Sequence, residues 1–514
     1  MQENTKTFYI TSPLYYVNDV PHIGSAYTTI ACDTIARYKR LKGFDVCFLT
    51  GTDEHGQKIA SAALDKKKKP QEHCDFIASK FQELWKLLNI QYDRFSRTTS
   101  KNHEKIVHEF FNRVNKNGDI YESDYQGLYC EACEDFKSEK ELSEENICPV
   151  HKLKVQEYKE KNYFFALSKY EKKLLDFLDK NPDFIQPSYR KNEVLGWIKE
   201  GLRDFPISRQ SVKWGIPLPN ESSQTIYVWF DALLGYISGL LDDNPEPNIE
   251  TAVKKYWPCS LHIIGKDILR FHAVYWPCML MSAGLPLPER VFGHGFLTKD
   301  GDKMGKTTGN IIDPYELINE FGTDAVRFYF LKEISFGKDG DFTRTNFINR
   351  INADLANNLG NLLNRALTLV NKNFNGTIEE GDKDDFLGLK EKTLTAINLY
   401  EKHMENYELK EALDSIWDLI DCTNKSFNEK APWKLIKNNN PEEAKYCLYE
   451  TLMILGNICI LIFPFIPETS IKIYNQLGYD KLDTYKNWGK LGWKRTRDSF
   501  KVKEAIPVFP RIEK

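Results

Sequence analysis

A lysine- and glycine-rich segment is the first part of the sequence whose composition suggests chemistry. Residues Lys299–Asn310 (KDGDKMGKTTGN) include three glycines and three lysines. A mobile cationic loop of this kind can close over a polyphosphate and stabilise the charge that develops on a leaving pyrophosphate. It is not a P-loop, because Asp300 stands where that motif requires glycine and no strand is predicted directly before it. A flexible solvated loop is the alternative interpretation.

A second segment, Pro21-His-Ile-Gly-Ser25, stands at the front of a predicted helix. Because a helix N-terminus presents free N–H groups and the positive end of the helix dipole, phosphate binds there readily. His22 can donate a hydrogen bond to a phosphate oxygen, and Gly24 lets a nucleotide approach the backbone. A proline turn that carries a surface histidine is the alternative.

The cysteines suggest a metal site. Cys130-Glu-Ala-Cys133 is followed, after fourteen residues, by Cys148-Pro-Val-His151. Two such hooks at this distance are typical of a zinc knuckle, in which each pair chelates one side of a tetrahedral ion. Four protein ligands leave no open position for a catalytic water, so one structural zinc per chain is predicted. Three unrelated thiols and an imidazole are the alternative.

The two phosphate-binding segments together resemble the paired signatures of class I aminoacyl-tRNA synthetases. His22-Ile-Gly-Ser25 is similar to the signature HIGH, and Lys303-Met-Gly-Lys-Thr307 is similar to KMSKS. Ser25 replaces the last histidine of the first signature, and Gly305 and Thr307 replace the two serines of the second. The order of the two segments and their wide separation are those of the family.

This resemblance implies a catalytic and ATP-binding set, with Asp267 as a ribose contact and Mg²⁺ accompanying ATP. His22, Lys303 and Lys306 would be catalytic. The ATP-binding set comprises His22, Gly24, Ser25, Asp267, Lys303 and Lys306.

Four further blocks resemble methionyl-tRNA synthetases, and the resemblance covers nearly the whole chain. The blocks are Thr11–Asn18, Thr50–Gly56, Tyr227–Ala232 with Gly235-Tyr236, and Gly265–His272. By resemblance, Asp53 holds the α-ammonium group of methionine. The implied methionine-binding set comprises Leu14, Tyr16, Asp53, Trp229, Ala232, Leu233, Tyr236, Ile268 and His272.

The residue types of this set suit methionine. A thioether is polarisable and favours aromatic contacts, which Tyr16, Trp229 and Tyr236 supply. A desolvated carboxylate can hold an ammonium group through charge-assisted hydrogen bonds. Without the resemblance to the family, Asp53 is interpreted equally well as an aspartate that closes a turn before a helix. The aromatic residues are then interpreted as ordinary residues of the hydrophobic core.

A helical segment near the end of the sequence carries further matches to the family. Asn361, Arg365 and Trp433 correspond to residues that read the CAU anticodon of tRNA(Met). The four-residue step places Asn361 and Arg365 on one helix face. An amide, a guanidinium and an indole are suitable readers of unstacked bases. On the residues alone, Arg365 is a solvated helix charge and Trp433 a packing residue.

The family therefore implies activation of L-methionine by ATP and transfer to tRNA(Met). An isoleucyl-, leucyl- or valyl-type synthetase is one alternative, although the distance between the signatures leaves too little room for the editing insertion of that group. A non-catalytic RNA-binding protein with a zinc ribbon is another.

Composition and charge exclude some other classes of protein and predict where the protein is located. The chain has 514 residues and a net charge of −3, which excludes a generally basic nucleic-acid binder. The odd count of 11 cysteines and the absence of a visible signal peptide favour a reducing, cytoplasmic location without a membrane. The apolar run Leu452–Pro467 is too short to span a bilayer and predicts a buried helix followed by a loop. The end at Lys514 favours a monomer, because a dimerisation domain found in some relatives is not seen.

Periodicity predicts the elements that position these residues. The first part of the chain reads as a βαβ unit, as in nucleotide-binding α/β domains. Its elements are a strand at Phe8–Ile10, a loop bracketed by Pro13 and Pro21, a helix from Ala26 ended by Gly43, and a strand at Val46–Leu49.

The later chain reads as an inserted module, a return to α/β structure and a helical end. The α/β pattern returns by Thr225–Asp231 and Leu261–Gly265, and one amphipathic helix runs from Leu355 to Val370. The prediction is a Rossmann-like α/β catalytic domain with a zinc-binding insertion, followed by an α-helical anticodon-binding domain. The predicted divisions are 1–115, 116–225, 226–340 and 341–514.

Overall fold

A computed structural model describes residues 6–130, 135–137, 142–143, 146–149, 153–219, 221–241, 246–304, 310–479, 482, 488–493 and 498–513. The chain begins with alternating strands and helices. These are β1 (Thr7–Tyr16), α1 (Ile23–Leu41), β2 (Asp45–Asp53), α2 (Gln57–Asp65), α3 (Pro70–Leu87), β3 (Arg94–Arg97) and α4 (Lys101–Lys116).

Short strands dominate the next part. These elements are β4 (Ile120–Cys130), β5 (Asp135–Lys137), β6 (Gln156–Phe165), α5 (Glu171–Lys180), β7 (Ile185–Gln186), α6 (Ser188–Lys199), β8 (Phe205–Pro206), β9 (Ser208–Arg209), β10 (Pro217–Leu218) and β11 (Glu221–Ile226). Strands β5, β4, β6 and β8 form an antiparallel sheet, whereas β7 pairs in parallel with a later strand.

Alternating elements then return. They are α7 (Val228–Ala232), α8 (Gly235–Ser238), α9 (Ile249–Val253), β12 (Leu261–Gly265), α10 (Trp276–Ala283), β13 (Val291–His294), β14 (Leu297–Lys299), β15 (Asp302–Lys303), α11 (Pro314–Phe321), α12 (Thr323–Glu333) and β16 (Gly340–Phe342). A π-helical turn, Phe271–Tyr275, leads into α10.

The last part is helical. Its elements are α13 (Arg344–Arg350), α14 (Asn361–Phe374), β17 (Thr377–Glu379), α15 (Lys390–Glu405), α16 (Leu409–Lys430), α17 (Pro432–Lys437), α18 (Pro441–Ile462), α19 (Pro467–Gln476) and β18 (Ser499–Lys501). A π-helical stretch, Ile351–Gly360, joins α13 to α14, so the predicted amphipathic helix is present within a longer helical run.

A six-stranded parallel sheet lies at the centre, in the order β3-β2-β1-β12-β13-β7. The chain leaves β1 in one direction along the sheet towards β2 and returns on its other side at β12. Open α/β sheets bind ligands at the carboxyl ends of the strands, next to such a reversal of strand order. The predicted Rossmann-like sheet followed by a helical part is therefore confirmed.

Strand β1 is longer than the sequence predicts. The predicted loop beginning at Pro13 is wrong, because the strand continues to Tyr16 after a register shift between Thr11 and Leu14. Proline cannot donate to a strand ladder, but an irregularity in the pairing accommodates it. The extension carries Leu14 and Tyr16 to the carboxyl edge of the sheet.

The lysine-rich loop is also preceded by a strand, contrary to the sequence prediction. Strand β14 pairs antiparallel with β15 and parallel with β16, and a turn at Asp300 and Gly301 connects β14 to β15. Both turn residues have positive φ, 53° and 84°, which suits glycine at the second position. The loop thus begins from a small three-stranded sheet.

Helix α18 is the one helix in the described ranges that is long and apolar enough to cross a membrane. However, 89% of its apolar window is buried inside the protein. It packs as a core helix and is followed by a turn, which confirms the predicted buried helix and loop.

A buried charge cluster joins the sheet region to the helical part. Asp33 on α1 accepts from Arg37 Nε and forms an ion pair with Arg327 Nη2 of α12, both at 2.7 Å. The guanidinium of Arg327 also donates to the carbonyls of Phe465 and Pro464, at 2.7 and 2.9 Å. Asp33 and Arg327 have fully buried side chains. Helix α1 is therefore fixed to the loop after α18.

Candidate active site

A cavity of about 820 Å³ opens at the carboxyl edge of the central sheet. The ends of four neighbouring strands contribute Tyr16, Asp53, Gly265 and His294 to its wall. This volume lies at the upper end of the range typical of small-molecule sites.

All nine residues of the predicted methionine-binding set line this cavity. They are Leu14, Tyr16, Asp53, Trp229, Ala232, Leu233, Tyr236, Ile268 and His272. Most of these side chains are buried, so the structure brings four separated sequence blocks into one largely apolar wall.

Aromatic stacking orders part of that wall. The Trp229 ring lies face to face with Phe271, with centroids 3.7 Å apart, and Tyr16 meets Trp229 edge-on at 6.2 Å. Phe271 was not predicted as a site residue, although it directly precedes His272 in a recognised block. The stack presents a rigid, polarisable surface suited to a thioether.

The hydrogen bonds of His272 fix its tautomer. Nδ1 lies 3.0 Å from the carbonyl oxygen of Ile268, so this nitrogen carries the proton and donates. Nε2 then accepts from the hydroxyl of Tyr236 at 2.8 Å. Burial lowers the pKa of His272 to about 4. The pair is therefore neutral at physiological pH, and the Tyr236 hydroxyl has a fixed direction.

Asp53 is the acidic end of this wall. It is the last residue of β2, stands opposite Tyr16 in the register of the sheet and is only 2% exposed. Hydrogen bonds from a cationic group to a desolvated carboxylate are charge-assisted and strong, so a carboxylate beside a cavity suits a cationic ligand group.

His22 stands where α1 begins and faces the cavity. Its Nδ1 accepts the N–H of Gly24 at 3.0 Å, which caps the helix and leaves the proton of the neutral ring on Nε2. A Cβ on Gly24 would lie 2.8 Å from the imidazole, so a larger residue there would displace the His22 ring from this position. The side chain is open to the cavity, yet desolvation by the surrounding walls lowers its pKa. His22 is thus a neutral N–H donor.

The structure describes only some of the other predicted nucleotide-binding residues. Gly24, Ser25 and Asp267 line the same cavity as His22. Lys303 belongs to β15, but nothing of its side chain is described, and Lys306 lies outside the described residues. Met304, between them, lines the cavity and shows that the loop begins at its mouth.

His294 is a cavity residue that sequence reasoning missed. Its Nδ1 donates to the carbonyl of Gly295, and its Nε2 accepts from the hydroxyl of Thr28, both at 2.8 Å. Burial lowers the pKa of His294 to about 4. The ring ties β13 to α1. A histidine ending a buried strand just before the lysine-rich loop was the available signal.

The predicted zinc ligands are only partly described. Cys130 and Cys148 are almost fully buried and share a small cluster with Val155, whereas Cys133 and His151 lie outside the described residues. Within the described ranges, no group of three or more metal-binding side chains occurs.

The predicted anticodon readers lie together on the helical part. Arg365 of α14 packs against two adjoining rings, with its guanidinium carbon 5.0 Å from the centroids of both Trp433 and Phe427. Its Nη2 donates to Asn428 Oδ1 at 2.7 Å. Trp433 is 37% exposed, and Asn361 is exposed one turn before Arg365. The group offers both stacking and hydrogen-bonding surfaces.

Comparison with known families agrees with this architecture. Residues 8–157 and 145–367 match the family of class I tRNA synthetases (M). Residues 377–504 match the anticodon binding domain of methionyl tRNA ligase. The parallel sheet, its cavity and these matches define a class I aminoacyl-tRNA synthetase.

Comparison with individual relatives identifies the family within this class. The methionine–tRNA ligase of Nostoc sp. is 52% identical over 99% of this chain and 98% of its own length. The chloroplastic/mitochondrial methionine–tRNA ligase of Arabidopsis thaliana is 53% identical over 100% of this chain and 85% of its own. Mycobacterium tuberculosis methionyl-tRNA synthetase, solved in complex with methionyl-adenylate, has a TM-score of 0.94 and 39% identity, covering 99% of this chain and 100% of that one. The chain belongs to the methionine–tRNA ligase family.

Proposed function

We propose that the central cavity activates L-methionine with ATP and transfers it to tRNA(Met). The methionine carboxylate attacks the α-phosphorus of ATP, which forms methionyl-adenylate and releases pyrophosphate. The terminal ribose hydroxyl of the tRNA then attacks the adenylate carbonyl and releases AMP. The observation that carries this proposal is the meeting of His22, Asp53 and Trp229 in one cavity. No protein nucleophile is required, because catalysis is positioning and charge stabilisation.

At the amino-acid end, Asp53 holds the ammonium group while Tyr16, Trp229 and Tyr236 enclose the thioether, with Phe271 stacked on Trp229. The depth of burial supports this assignment, since a desolvated carboxylate gains most from a charge-assisted pair. The neutral Tyr236–His272 pair keeps the thioether pocket free of charge.

At the nucleotide end, His22 Nε2–H donates to the phosphates while Gly24 and Ser25 present the front of α1. Asp267 is the proposed ribose contact. Lys303 and Lys306 stabilise the charge on the leaving pyrophosphate, and Mg²⁺ accompanies ATP. The position of Met304 on the cavity wall supports this, because the loop that carries both lysines starts there.

The test is ATP–pyrophosphate exchange with each proteinogenic amino acid in turn. Methionine alone should support rapid exchange. Preferential exchange with isoleucine, leucine or valine would contradict the methionine assignment, and no exchange with any amino acid would contradict the enzyme assignment.

We propose that Cys130, Cys133, Cys148 and His151 hold one structural zinc ion. Burial of Cys130 and Cys148 in one cluster supports this, since thiolates of a closed zinc site are shielded from water. Zinc would stabilise the segment by coupling metal binding to its folding.

Elemental analysis of the purified protein should therefore give about one zinc per chain, as expected for one four-ligand site. Cys130→Ser with Cys148→Ser should lose this zinc, whereas Cys278→Ser, at a buried cysteine of α10, should retain it. A fully active parent protein without zinc would contradict the proposal.

We propose that Asn361, Arg365 and Trp433 read the anticodon of tRNA(Met). Trp433→Ala and Arg365→Ala should each weaken charging of tRNA by about 1–3 kcal/mol, the scale of one stacked base or one bidentate base contact. Methionine-dependent pyrophosphate exchange should remain intact. Charging of tRNAs with CAU and altered anticodons measures the effect.

Trp433→Phe is the matched control, because it keeps a stacking ring beside Arg365. It should retain most of the charging rate. If the alanine variants discriminate between the anticodons as the parent does, these contacts do not read the anticodon. Loss of charging only in parallel with a lowered melting temperature would instead indicate packing.

We propose the divisions 1–115, 116–225, 226–340 and 341–514 as a catalytic half, an insertion, a second catalytic half and an anticodon-binding part. We further propose that the protein is a cytoplasmic monomer without membrane attachment. None of the ten described cysteines forms a disulfide, which supports a reducing compartment. Subcellular fractionation and sedimentation would test these proposals.

A further inference from the structure

A buried carboxylate lies directly behind the aromatic wall of the cavity. Asp231 of α7 is fully buried and does not line the cavity, although its neighbours Trp229 and Ala232 do. One carboxylate oxygen lies 2.7 Å from Nδ1 of His55, and the other lies 2.5 Å from Nε2 of His103. One side chain therefore bridges two imidazoles from different elements.

The bridge continues to a third element. Nδ1 of His103 lies 2.7 Å from the hydroxyl oxygen of Ser238 at the end of α8. His55, Asp231 and Ser238 each stand two residues after a cavity-lining residue: Asp53, Trp229 and Tyr236 respectively. The chain of hydrogen bonds thus connects the acidic end of the cavity to its aromatic wall from behind.

The chemistry of this chain fixes its protons. A carboxylate can only accept, so His55 Nδ1 and His103 Nε2 both carry hydrogens. Burial by itself raises the pKa of Asp231, but the two imidazoles outweigh it and lower the pKa to about 2. Asp231 is therefore charged throughout the physiological range, and its hydrogen bonds are charge-assisted.

The far end of the chain is held as well. The His55 ring packs edge-on against Trp214, whose Nε1 donates to the carbonyl of Glu54 at 2.5 Å. The carboxylate of Glu54 in turn accepts from Arg97 Nε at 2.7 Å. A buried hydrogen-bond network whose groups all have partners is rigid. Because His55 follows the end of β2 by two residues, its bond to Asp231 fixes the end of β2 relative to α7.

We propose that Asp231 is a positioning residue for methionine binding: through His55, His103 and Ser238 it fixes Asp53 relative to Trp229 and Tyr236. This inference rests on the proposed function, in which Asp53 takes the ammonium group and the aromatic residues take the side chain. An amino acid held at both ends is selected by the distance between the two subsites. Asp231 sets that distance without touching the substrate.

Asp231→Asn tests the proposal because the amide keeps the shape of the side chain but offers only one accepting oxygen. One imidazole then loses its acceptor. The KM for methionine in pyrophosphate exchange should rise about tenfold, the effect expected when one buried hydrogen-bonding group loses its partner. The KM for ATP should change by less than about twofold, since the nucleotide subsite lies on other elements.

Glu450→Gln is the matched control, a buried carboxylate of α18 that accepts the backbone N–H groups of Phe386 and Leu387, both at 2.7 Å. It should lower the melting temperature without changing the ratio of the two KM values. Ser238→Ala keeps the Asp231 bridge and should raise the methionine KM by only about two- to threefold, as for loss of one neutral hydrogen bond.

Equal changes in both KM values for Asp231→Asn, or no change, would overturn the proposal. If Asp231→Asn does not fold, the Ser238→Ala result decides, and an unchanged methionine KM in that variant overturns it. Absence of methionine-dependent exchange in the parent protein would instead overturn the proposed function itself.

Discussion

Asp53→Asn is expected to remove nearly all methionine activation at concentrations that saturate the parent enzyme. The substitution preserves the volume of a side chain that is only 2% exposed but removes its negative charge. Losing one partner of a buried charge pair costs about 2–5 kcal/mol, which corresponds to a large rise in the methionine dissociation constant. Equilibrium binding of methionine without ATP measures this effect directly.

Asp19→Asn is a suitable control, because Asp19 also lines the cavity but is partly exposed and stands outside the proposed ammonium subsite. Methionine affinity should stay within about threefold of the parent value, as for most substitutions of partly exposed side chains. If Asp53→Asn binds methionine as well as the parent protein does, Asp53 is not the ammonium ligand.

His22→Asn should slow adenylate formation while leaving the fold stable. Asparagine is a good N-cap, so its side chain can still accept the N–H of Gly24. The Nε2–H group, which is the proposed donor to the phosphates, is lost, however. Removing one preorganised donor costs about 2.7–4 kcal/mol, or roughly 10²–10³-fold in rate. Rapid-quench measurement of adenylate formation, together with a melting curve, separates the two roles.

His22→Ala provides the comparison, since it loses both the donor and the cap. It should show the same slow chemistry as His22→Asn and a further loss of about 0.5–2 kcal/mol in stability. A normal rate of adenylate formation in His22→Asn would show that His22 is only a helix cap.

The sequence predicted the residues that line the cavity better than the residues that hold them in position. Leu14, Asp53, Trp229 and His272 could be found because each lies in a contiguous block that resembles the family, and the structure places all four on the cavity wall. Tyr16 reaches that edge only because β1 continues past Pro13, which local propensity did not indicate.

Residues whose roles depend on tertiary contacts were missed. His294 contacts Thr28, and His103 contacts Asp231, across more than a hundred residues of sequence in each case. Phe271 gains its role only by stacking on Trp229. No periodicity or local spacing encodes such pairings, so a single sequence carries little signal for them.

The junction of Asp33 and Arg327 makes the chemistry at the cavity depend on the helical part of the chain. Helix α1 begins at the cavity beside His22 and is held by Arg327, which also binds the carbonyls after α18. If the helical part were detached, the guanidinium of Arg327 would lose two carbonyl acceptors, and its pair with Asp33 would become exposed to water, where an ion pair contributes only about 0–1 kcal/mol. Methionine activation consumes no tRNA, yet the part of the chain that reads tRNA supplies part of the scaffold on which His22 stands.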